Sequence, residues 1–381
     1  MKSLVDLQLA GKKVLIRVDF NVPLQDGLVV DDYRIKACLP TINYILDRGA
    51  SIALISHLGR PEEGRFEPNL SLEPVASILS QLLGRKVNFL RNWIDGICME
   101  DNQIAVCENV RFLEGEISND KDLSKKMANL CDIFVNDAFA CAHRSHASTC
   151  GVASFAKIAC AGPLLLAEIE ALERVTNLTK KPIVAIVGGG KVSTKITLLE
   201  NLATKVDYLI VGGGIANTLL KAQGKKVGAS LVEKKSAATA ENLVTTHRNL
   251  VLPEDIVCAK KFEKKAIGTI KNIDEIESDD QILDFGPRTM RKIDQLIEKA
   301  ETIIWNGPVG VFEFDNFQVG TKSLSMSIAR SKAFSVAGGG DTVAAVNKFG
   351  IGKKLSYVST AGGAFLEYLE GKELPALSYL N

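Results

Sequence analysis

Short runs rich in Val and Ile recur along the chain, and longer segments with helical spacing separate them. The runs are continuous rather than alternating, which is typical of strands buried on both faces of a parallel sheet. We expect strands at residues 14–20, 52–56, 87–90, 104–107, 133–135, 183–187, 208–211, 256–259, 302–305, 334–337 and 355–358. Between two of them, an apolar stripe over 72–83 predicts a helix that Ser71 caps. This alternation predicts an α/β fold with helices on both faces of each sheet.

The length of the chain sets the number of domains. With 381 residues it exceeds what one hydrophobic core usually supports, so we expect two domains of comparable size. A helix is predicted to begin at Gly162-Pro163, because Pro is favoured at the first helical position and apolar residues follow at helical spacing. We therefore predict two doubly wound parallel-sheet (Rossmann-like) domains, residues 1–162 and 178–367, joined by a linker helix at 163–177, with a cleft between them. The alternative is an ordinary crossover helix inside one large sheet.

Charge and cysteine content exclude several classes of function. Lys and Arg number 46 and Asp and Glu 45, so the net charge of +1 gives no electrostatic reason for a nucleic-acid or membrane-surface partner. No apolar run reaches the ~20 residues that cross a bilayer, and the N-terminus lacks the apolar core of a secretory signal. The eight Cys form no C-x-x-C pair, so we expect reduced thiols in a cytoplasmic protein, none of them catalytic.

The predicted strands of the first half end in polar residues rich in Arg. In open α/β sheets, ligands bind beyond the carboxyl ends of the strands. One histidine and five arginines lie at or shortly after such ends: His57, Arg17, Arg34, Arg60, Arg111 and Arg144. Any one of these arginines alone would be ordinary surface charge. Because Arg forms paired hydrogen bonds with carboxylate and phosphate, their convergence would make a pocket for a small, multiply charged acid. Asp19 opposes an anionic ligand, so it either orients an Arg or accepts a ligand hydroxyl.

The predicted strands of the second half end in glycine instead. Residues 187–195 read V-G-G-G-K-V-S-T-K. Gly189 and Gly190 would let backbone N–H groups approach a phosphate, and the dipole of a following helix would favour its negative charge. Lys191 and Lys195 are four residues apart, so we predict that they share one helix face and reach the same phosphate chain. The segment is not a Walker A loop, because no Ser or Thr directly follows the first lysine.

Other glycine clusters lie at the ends of later strands. One contains Gly213, another is G-G-G-D-T, which contains Gly339, Gly340, Asp341 and Thr342, and the last is Gly362-Gly363. The carboxylate of Asp341 beside a phosphate cradle is the arrangement needed to hold Mg²⁺. A single glycine cluster is more often a tight turn, but four of them, two carrying Lys or Asp, favour a nucleotide site.

A Gly/Pro-rich loop lies between these clusters and begins at Asn306. It contains Glu313, whose carboxylate would either bind ribose hydroxyls or be an ordinary solvated group.

Taken together, these motifs resemble the phosphoglycerate kinase family. The segments that carry the resemblance lie at 17–23, 56–61, 137–148, 188–195, 306–313 and 338–342. They occur in the family's order and span essentially the whole chain. The resemblance implies phosphoryl exchange between 1,3-bisphosphoglycerate and ADP, giving 3-phosphoglycerate and ATP with Mg²⁺, by a cytoplasmic monomer. It also implies that residues 368–381 return to the first domain.

The resemblance further implies a role for each matching residue. Those for the phosphoglycerate are Asp19, Phe20, Asn21, Arg34, His57, Leu58, Gly59, Arg60, Arg111 and Arg144. Those for the nucleotide are Gly189, Gly190, Lys191, Lys195, Gly213, Asn306, Glu313, Gly339, Gly340, Asp341 and Thr342. Arg34 and Lys191 would stabilise the phosphoryl group in transit, and Asp341 would place Mg²⁺ directly, through water or through the nucleotide. Closure of a hinge at the linker helix would bring the two half-sites together.

Two other functions fit parts of the sequence. A nicotinamide dehydrogenase would share the fold class, but it needs one G-x-G-x-x-G followed ~20 residues later by an acid, and this pattern does not occur. A non-catalytic module for phosphorylated acids would explain the arginines, but it would leave Lys191, Lys195 and Asp341 without a task.

Overall fold

The structure, a computed structural model, describes residues 1–176, 180–359 and 361–380. The chain divides into two compact units, Met1–Glu170 with Glu373–Asn381, and Ala171–Lys372. The first division falls within one helix, Pro163–Thr176, which begins at the predicted proline. The sequence-based boundary at 177 and 178 lies outside the described residues.

The first unit is built around a six-stranded sheet. Its strands, with those of a small hairpin, are β1 (Lys13–Arg17), β2 (Leu24–Gln25), β3 (Leu28–Val29), β4 (Ser51–Ile55), β5 (Asn88–Leu90), β6 (Ile104–Cys107), β7 (Ile133–Asn136) and β8 (Ala159–Ala161). The large sheet has the order β5-β6-β4-β1-β7-β8, and every neighbouring pair is parallel. β2 and β3 pair antiparallel. The helices are α1 (Tyr33–Leu46), α2 (Glu73–Leu83), α3 (Lys121–Asn129), α4 (Val152–Phe155) and the first part of α5 (Pro163–Thr176).

The continuous apolar runs are the interior of this sheet. All five residues of β4 are buried, as are all four of β6 and of β7. Such strands are covered on both faces, which is why their sequences do not alternate. The helix predicted over 72–83 is α2, but its N-cap residue is Leu72 rather than Ser71. Ser71 lies one residue earlier, where its hydroxyl accepts a hydrogen bond from the Glu73 N–H at 3.2 Å. The C-terminal segment adds to this unit, because Ala376 N donates to Ala142 O at 3.1 Å and Lys2 N to Leu380 O at 3.0 Å.

The second unit contains a second parallel sheet. Its strands are β9 (Ile183–Val187), β10 (Tyr208–Val211), β11 (Leu250–Val251), β12 (Asp255–Ala259), β13 (Thr269–Asn272), β14 (Gln281–Phe285), β15 (Thr302–Asn306), β16 (Phe334–Ala337) and β17 (Tyr357–Val358). The helices are α6 (Ile196–Ala203), α7 (Gly213–Ala222), α8 (Ala237–Thr246), α9 (Pro287–Lys299), α10 (Val319–Arg330), α11 (Gly340–Lys348) and α12 (Gly363–Leu369). The parallel sheet has the order β11-β10-β9-β15-β16-β17, so the strand order reverses between β9 and β15. Ligands of doubly wound folds bind at the carboxyl ends of strands beside such a reversal.

The fold class predicted from the sequence is confirmed, with one correction. Residues 256–259 were predicted as a strand of the parallel sheet, but they lie in β12, the centre of a separate antiparallel sheet with the order β13-β12-β14. Nearly all residues of β12 are buried, so its apolar run cannot be told in sequence from that of a strand in a parallel sheet. β13 and β14 were not predicted.

Two further expectations have an answer in the structure. All eight Cys lie in the described residues and are free thiols, and only Cys98 is exposed. None of the helices within the described ranges combines the length and apolar character that crossing a membrane requires.

Candidate active site

The first unit gathers arginines at the carboxyl edge of its parallel sheet. Arg17 ends β1, His57 follows β4, Arg111 follows β6, and Arg144 follows β7. Arg34 joins them from the first turn of α1. Because the carboxyl ends of parallel strands meet at one edge, residues far apart in sequence surround a common point. We call these five residues the basic cluster.

His57 is the central uncharged member of the basic cluster. Burial lowers its pKa well below the usual value, and the charges of Arg17, Arg111, Arg144 and Arg34 lower it further. The Arg17 guanidinium lies with Nη2 3.3 Å from His57 Nδ1, and because Arg can only donate, Nδ1 is the acceptor. His57 is therefore neutral near physiological pH, and the arginines supply the positive potential.

Arg17 and Arg111 differ in what remains free for a ligand. Arg17 is 1% exposed, and it donates from Nε to Ser148 Oγ at 3.0 Å and from Nη1 to Val18 O at 2.6 Å. Its role is therefore largely to support the cluster. Arg111 donates from Nη1 to Gly59 O, but its buried Nε has no hydrogen-bond partner within the described residues. Burial, then the charges of Arg144 and Arg17, lower the pKa of Arg111 to about 10. A buried donor without a partner, in a positive field, is suited to an anion.

Asp19 orients Arg34. The Asp19 carboxylate lies 2.9 Å from Arg34 Nη1, which also donates to Asn21 O at 2.9 Å. The Asn21 side chain accepts from Gly59 N at 2.9 Å, so the loops after β1 and β4 are joined. Asp19 therefore fixes a guanidinium, which was one of the two roles left open by the sequence.

Three other predicted residues stand in different surroundings. The side chains of Phe20 and Leu58 are buried in the core. The N–H of Phe20 already donates to Ser56 Oγ at 2.8 Å, and that of Leu58 to Asn109 Oδ1 at 3.2 Å. Arg60 is exposed, unlike the arginines that act on His57.

Sequence reasoning missed the buried counter-charge of the basic cluster. Glu116 is fully buried, and its carboxylate accepts from Ser148 N at 2.9 Å and Ser148 Oγ at 2.5 Å. Burial raises the pKa of Glu116, while the Arg17 charge and these hydrogen bonds oppose the rise. It follows no predicted strand, so its sequence context gave no signal.

The second unit holds its glycines around a pocket of about 500 Å³. Residues from four loops line it: Gly189, Gly190, Gly213, Gly214, Pro308, Val309, Gly310, Glu313 and Asp341 are among them. We call it the glycine pocket. Gly213 shows why glycine is needed, because its φ is +65° and a Cβ there would lie 2.7 Å from Gly189 O. A larger pocket of about 730 Å³ beside β13 and α10 contains none of the predicted site residues.

Lys195 braces the strand ends beneath the glycine pocket. Its ammonium donates to Gly188 O at 2.6 Å, to Asn306 Oδ1 at 2.6 Å and to Asn306 O at 3.3 Å. Asn306 Nδ2 in turn donates to Gly338 O at 2.7 Å, so the ends of β9, β15 and β16 are connected. Burial lowers the pKa of Lys195 to about 8, while the Asp341 charge opposes the shift.

The prediction that Lys191 and Lys195 share a helix face is wrong. Lys191 precedes a 3₁₀ turn, Val192–Thr194, and Lys195 lies between that turn and α6. Neither lysine has α-helical backbone, since φ and ψ are −133° and 127° at Lys191 and −133° and 13° at Lys195. The pairing of residues i and i+4 on one helix face therefore does not apply to them. Lys191 is exposed, whereas Lys195 is held by backbone and side-chain oxygens.

The G-G-G-D-T cluster lies at the start of α11. Gly339 has φ +98° and precedes Gly340, the first helical residue. The Thr342 hydroxyl accepts from Gly307 N at 2.7 Å, which connects this cluster to the loop after β15. Asp341 is exposed, and within residues 1–176, 180–359 and 361–380 its carboxylate forms no hydrogen bond or ion pair. A free carboxylate at a phosphate-type helix start fits Mg²⁺ that is also bound by phosphate oxygens. Glu313 is exposed at the rim of the same pocket.

These two sites define a class of protein. One parallel sheet presents arginines suited to a multiply charged acid, and the other presents glycine corners and lysines suited to a nucleotide. An α/β enzyme with both is a small-molecule phosphotransferase.

Comparison with known proteins identifies the family. Residues 4–372 match the family model for phosphoglycerate kinase. A phosphoglycerate kinase of Francisella tularensis subsp. novicida is 54% identical over 383 residues, covering 100% of this chain and 98% of its own. The solved structure of phosphoglycerate kinase from Coxiella burnetii has a TM-score of 0.93 at 52% identity, covering 99% of this chain and 98% of its own. That from Pyrococcus horikoshii OT3 has a TM-score of 0.87 at 32% identity, covering 100% and 98%. The chain belongs to the phosphoglycerate kinase family, and it is an enzyme of that kind.

Proposed function

We propose that this chain transfers the acyl phosphate of 1,3-bisphosphoglycerate reversibly to ADP, giving 3-phosphoglycerate and ATP. Membership of the family supports the reaction and its place in glycolysis and gluconeogenesis. The observation that carries our proposal at the residue level is the basic cluster, which includes the buried Arg111 Nε without a partner within the described residues. Free thiols are typical of a reducing compartment, so we also propose a cytoplasmic protein, and the resemblance supports a monomer.

The two substrates are assigned to different units. Residues 1–162, with the C-terminal segment, bind the phosphoglycerate, and residues 178–367 bind the nucleotide. The basic cluster receives the acid, with Asp19, Asn21 and Gly59 holding its loops in place. The glycine pocket receives the nucleotide, with Glu313 at its rim as the proposed ribose ligand.

The proposed chemistry needs no general base. In the direction that consumes ATP, the nucleophile is a carboxylate of 3-phosphoglycerate, which is ionised at neutral pH. The protein therefore acts by positioning and by neutralising charge. Arg34, fixed by Asp19, and Lys191 hold the equatorial oxygens of the transferring group. His57 stays neutral and contributes hydrogen bonding rather than charge.

Mg²⁺ is the proposed cofactor. Asp341 would hold it together with phosphate oxygens of the nucleotide, and its free carboxylate fits that role. When bound, the ion neutralises phosphate charge. Lys195 contributes a further positive charge on this side, although its three hydrogen bonds to protein oxygens first hold the pocket in shape.

Transfer requires the two substrates to meet with water excluded. We propose that a hinge at α5 closes when both substrates are bound. Small-angle scattering should show a smaller radius of gyration with Mg·ADP and 3-phosphoglycerate together than with either one alone. An unchanged radius in the ternary complex would contradict closure.

Calorimetry tests the assignment of the half-sites. Mg·ADP and 3-phosphoglycerate should each bind, and a coupled assay supplied with 1,3-bisphosphoglycerate and Mg·ADP should detect ATP formation. Arg111→Ala should weaken 3-phosphoglycerate binding at least tenfold and leave Mg·ADP binding unchanged, because one bond to a charged group contributes roughly 1.5–3 kcal/mol. Arg85→Ala is the control, since Arg85 is exposed.

Each rival function predicts a different result. Stabilisation by NADH instead of Mg·ADP would favour a dehydrogenase. Binding of Mg·ADP and 3-phosphoglycerate, without ATP formation when 1,3-bisphosphoglycerate and Mg·ADP are supplied, would favour a binding module.

A further inference from the structure

A contact between distant residues fixes the turn that carries Lys191. Glu233 lies 40 residues beyond Ser193 and accepts two hydrogen bonds from it. The Ser193 N–H donates to Glu233 Oε2 at 2.7 Å, and the Ser193 hydroxyl donates to Oε1. Both carboxylate oxygens are therefore engaged by one residue. We call this contact the Glu233–Ser193 clamp.

The clamp acts on a short segment in which Lys191, Ser193 and Thr194 are exposed. Ser193 is the middle residue of the 3₁₀ turn Val192–Thr194, which directly follows Lys191. Val192 is fully buried, and the Thr194 hydroxyl donates to Lys191 O at 2.9 Å. Within the described chain, the two hydrogen bonds of the clamp are those that join Ser193 to a residue distant in sequence. The clamp therefore restrains the turn that directly follows Lys191.

Glu233 is itself attached to the wall of the glycine pocket. Its N–H donates to Thr218 Oγ1 at 3.1 Å, and that hydroxyl donates to Gly214 O at 2.8 Å. Thr218 is buried in α7, and Gly214 lines the pocket at the start of the same helix. Through these contacts, the start of α7 and the turn after Lys191 are held in one frame.

The charge of Glu233 has a separate effect. Its pKa is lowered by the Ser193 hydroxyl first, then by the Ser193 N–H, and also by the charge of Lys191. The carboxylate is therefore ionised, and an anion near a phosphate site repels phosphate. A positional role and an electrostatic role thus predict opposite effects when the charge is removed.

We propose that Glu233 is a positioning residue for phosphoryl transfer, which holds the turn Val192–Thr194 so that Lys191 is presented at a fixed place beside the glycine pocket. This inference rests on the role proposed above for Lys191. Loss of the clamp lets the turn move, and misplacement of a group that acts on the transition state lowers kcat more than it raises KM.

Four variants test the proposal by steady-state kinetics. Glu233→Gln and Ser193→Ala should each lower kcat by about tenfold, with KM for Mg·ATP changed less than about twofold. Ser193→Thr keeps the hydroxyl and should retain more than half of the activity. The double variant should be no slower than the slower single variant, because both changes remove the same contact. Unchanged melting temperatures would show that the fold is intact.

Several outcomes would overturn the inference. They are unchanged kcat in both single variants, faster turnover in Glu233→Gln, or additive losses in the double variant. Lys191→Ala, measured in parallel, distinguishes failure of the clamp proposal from failure of the role proposed for Lys191. If Lys191→Ala is impaired and the clamp variants are not, only the clamp fails, whereas full activity in Lys191→Ala removes the proposed role on which the clamp depends.

Discussion

Lys191→Ala is expected to lower kcat by about a hundredfold, or about 2.7 kcal/mol of transition-state stabilisation. Loss of one preorganised donor to a developing charge has effects of this size. Lys191 is exposed at the glycine loop, and Lys195 cannot replace it because its ammonium is held by Gly188 and Asn306. The binding of ground-state Mg·ATP depends mainly on the rest of the pocket, so KM should change little. Rapid-quench measurement of the transfer step, with calorimetry for nucleotide affinity, checks both expectations.

Lys205→Ala is the matched control for that variant. Lys205 is an exposed lysine of the same unit, just beyond the other end of α6. It should retain wild-type kcat, which excludes a general effect of removing positive charge. Wild-type turnover in Lys191→Ala would exclude Lys191 from the mechanism, and a loss confined to KM would make it a binding residue only.

The central strands were predictable because burial leaves a direct trace in sequence. β1, β4, β9 and β15 are covered on both faces and carry uninterrupted apolar runs. β8 contains Ala, Cys and Ala, which carry no β-branched signal, and it was missed. The partners of a strand leave no such trace, so β12 was assigned to the wrong sheet.

In the candidate site, too, some features could be predicted from the sequence and others could not. Glycine corners and arginines after strands could be predicted, because topology alone brings the carboxyl ends of parallel strands to one edge. Which arginines face the ligand could not be predicted. Arg17 donates to Ser148 and Val18, while the buried Nε of Arg111 has no partner within the described residues, although both arginines lie at or near the end of a strand. Glu116 and Glu233 reach the site only through tertiary contacts.

Asp284 shows how such an unpredicted contact affects stability. It lies in β14, is 1% exposed and lines the glycine pocket. Its carboxylate accepts from Gly320 N, at the start of α10, at 2.7 Å and from Phe285 N at 2.9 Å. Burial raises the pKa of Asp284 to about 7, although both amide bonds oppose the rise.

The contribution of Asp284 to the stability of the second unit should therefore fall as pH rises. Between about pH 4 and pH 7 the folded state keeps the Asp284 proton that the unfolded chain has lost, so unfolding becomes easier with increasing pH. The full window corresponds to about 4 kcal/mol, of which more than half falls between pH 5 and pH 8. Asp284→Asn is neutral throughout and should lack this decline. The variant also loses a hydrogen bond, which changes its free energy of unfolding by the same amount at every pH. The readout is therefore how the free energy of unfolding changes with pH, rather than its value at one pH.

Urea unfolding, monitored by tryptophan fluorescence, measures this effect in the unit that contains Asp284. Trp93 lies in the first unit and Trp305 in the second, so a Trp93→Phe background leaves one buried reporter beside the site. In that background, the difference in unfolding free energy between Asp284→Asn and the parent should grow in favour of the variant by at least about 2 kcal/mol from pH 5 to pH 8. Asp315→Asn, an exposed carboxylate in the same unit, should follow the parent. A constant difference across this range would mean that Asp284 is ionised throughout, and that its two amide hydrogen bonds outweigh the cost of burying its charge.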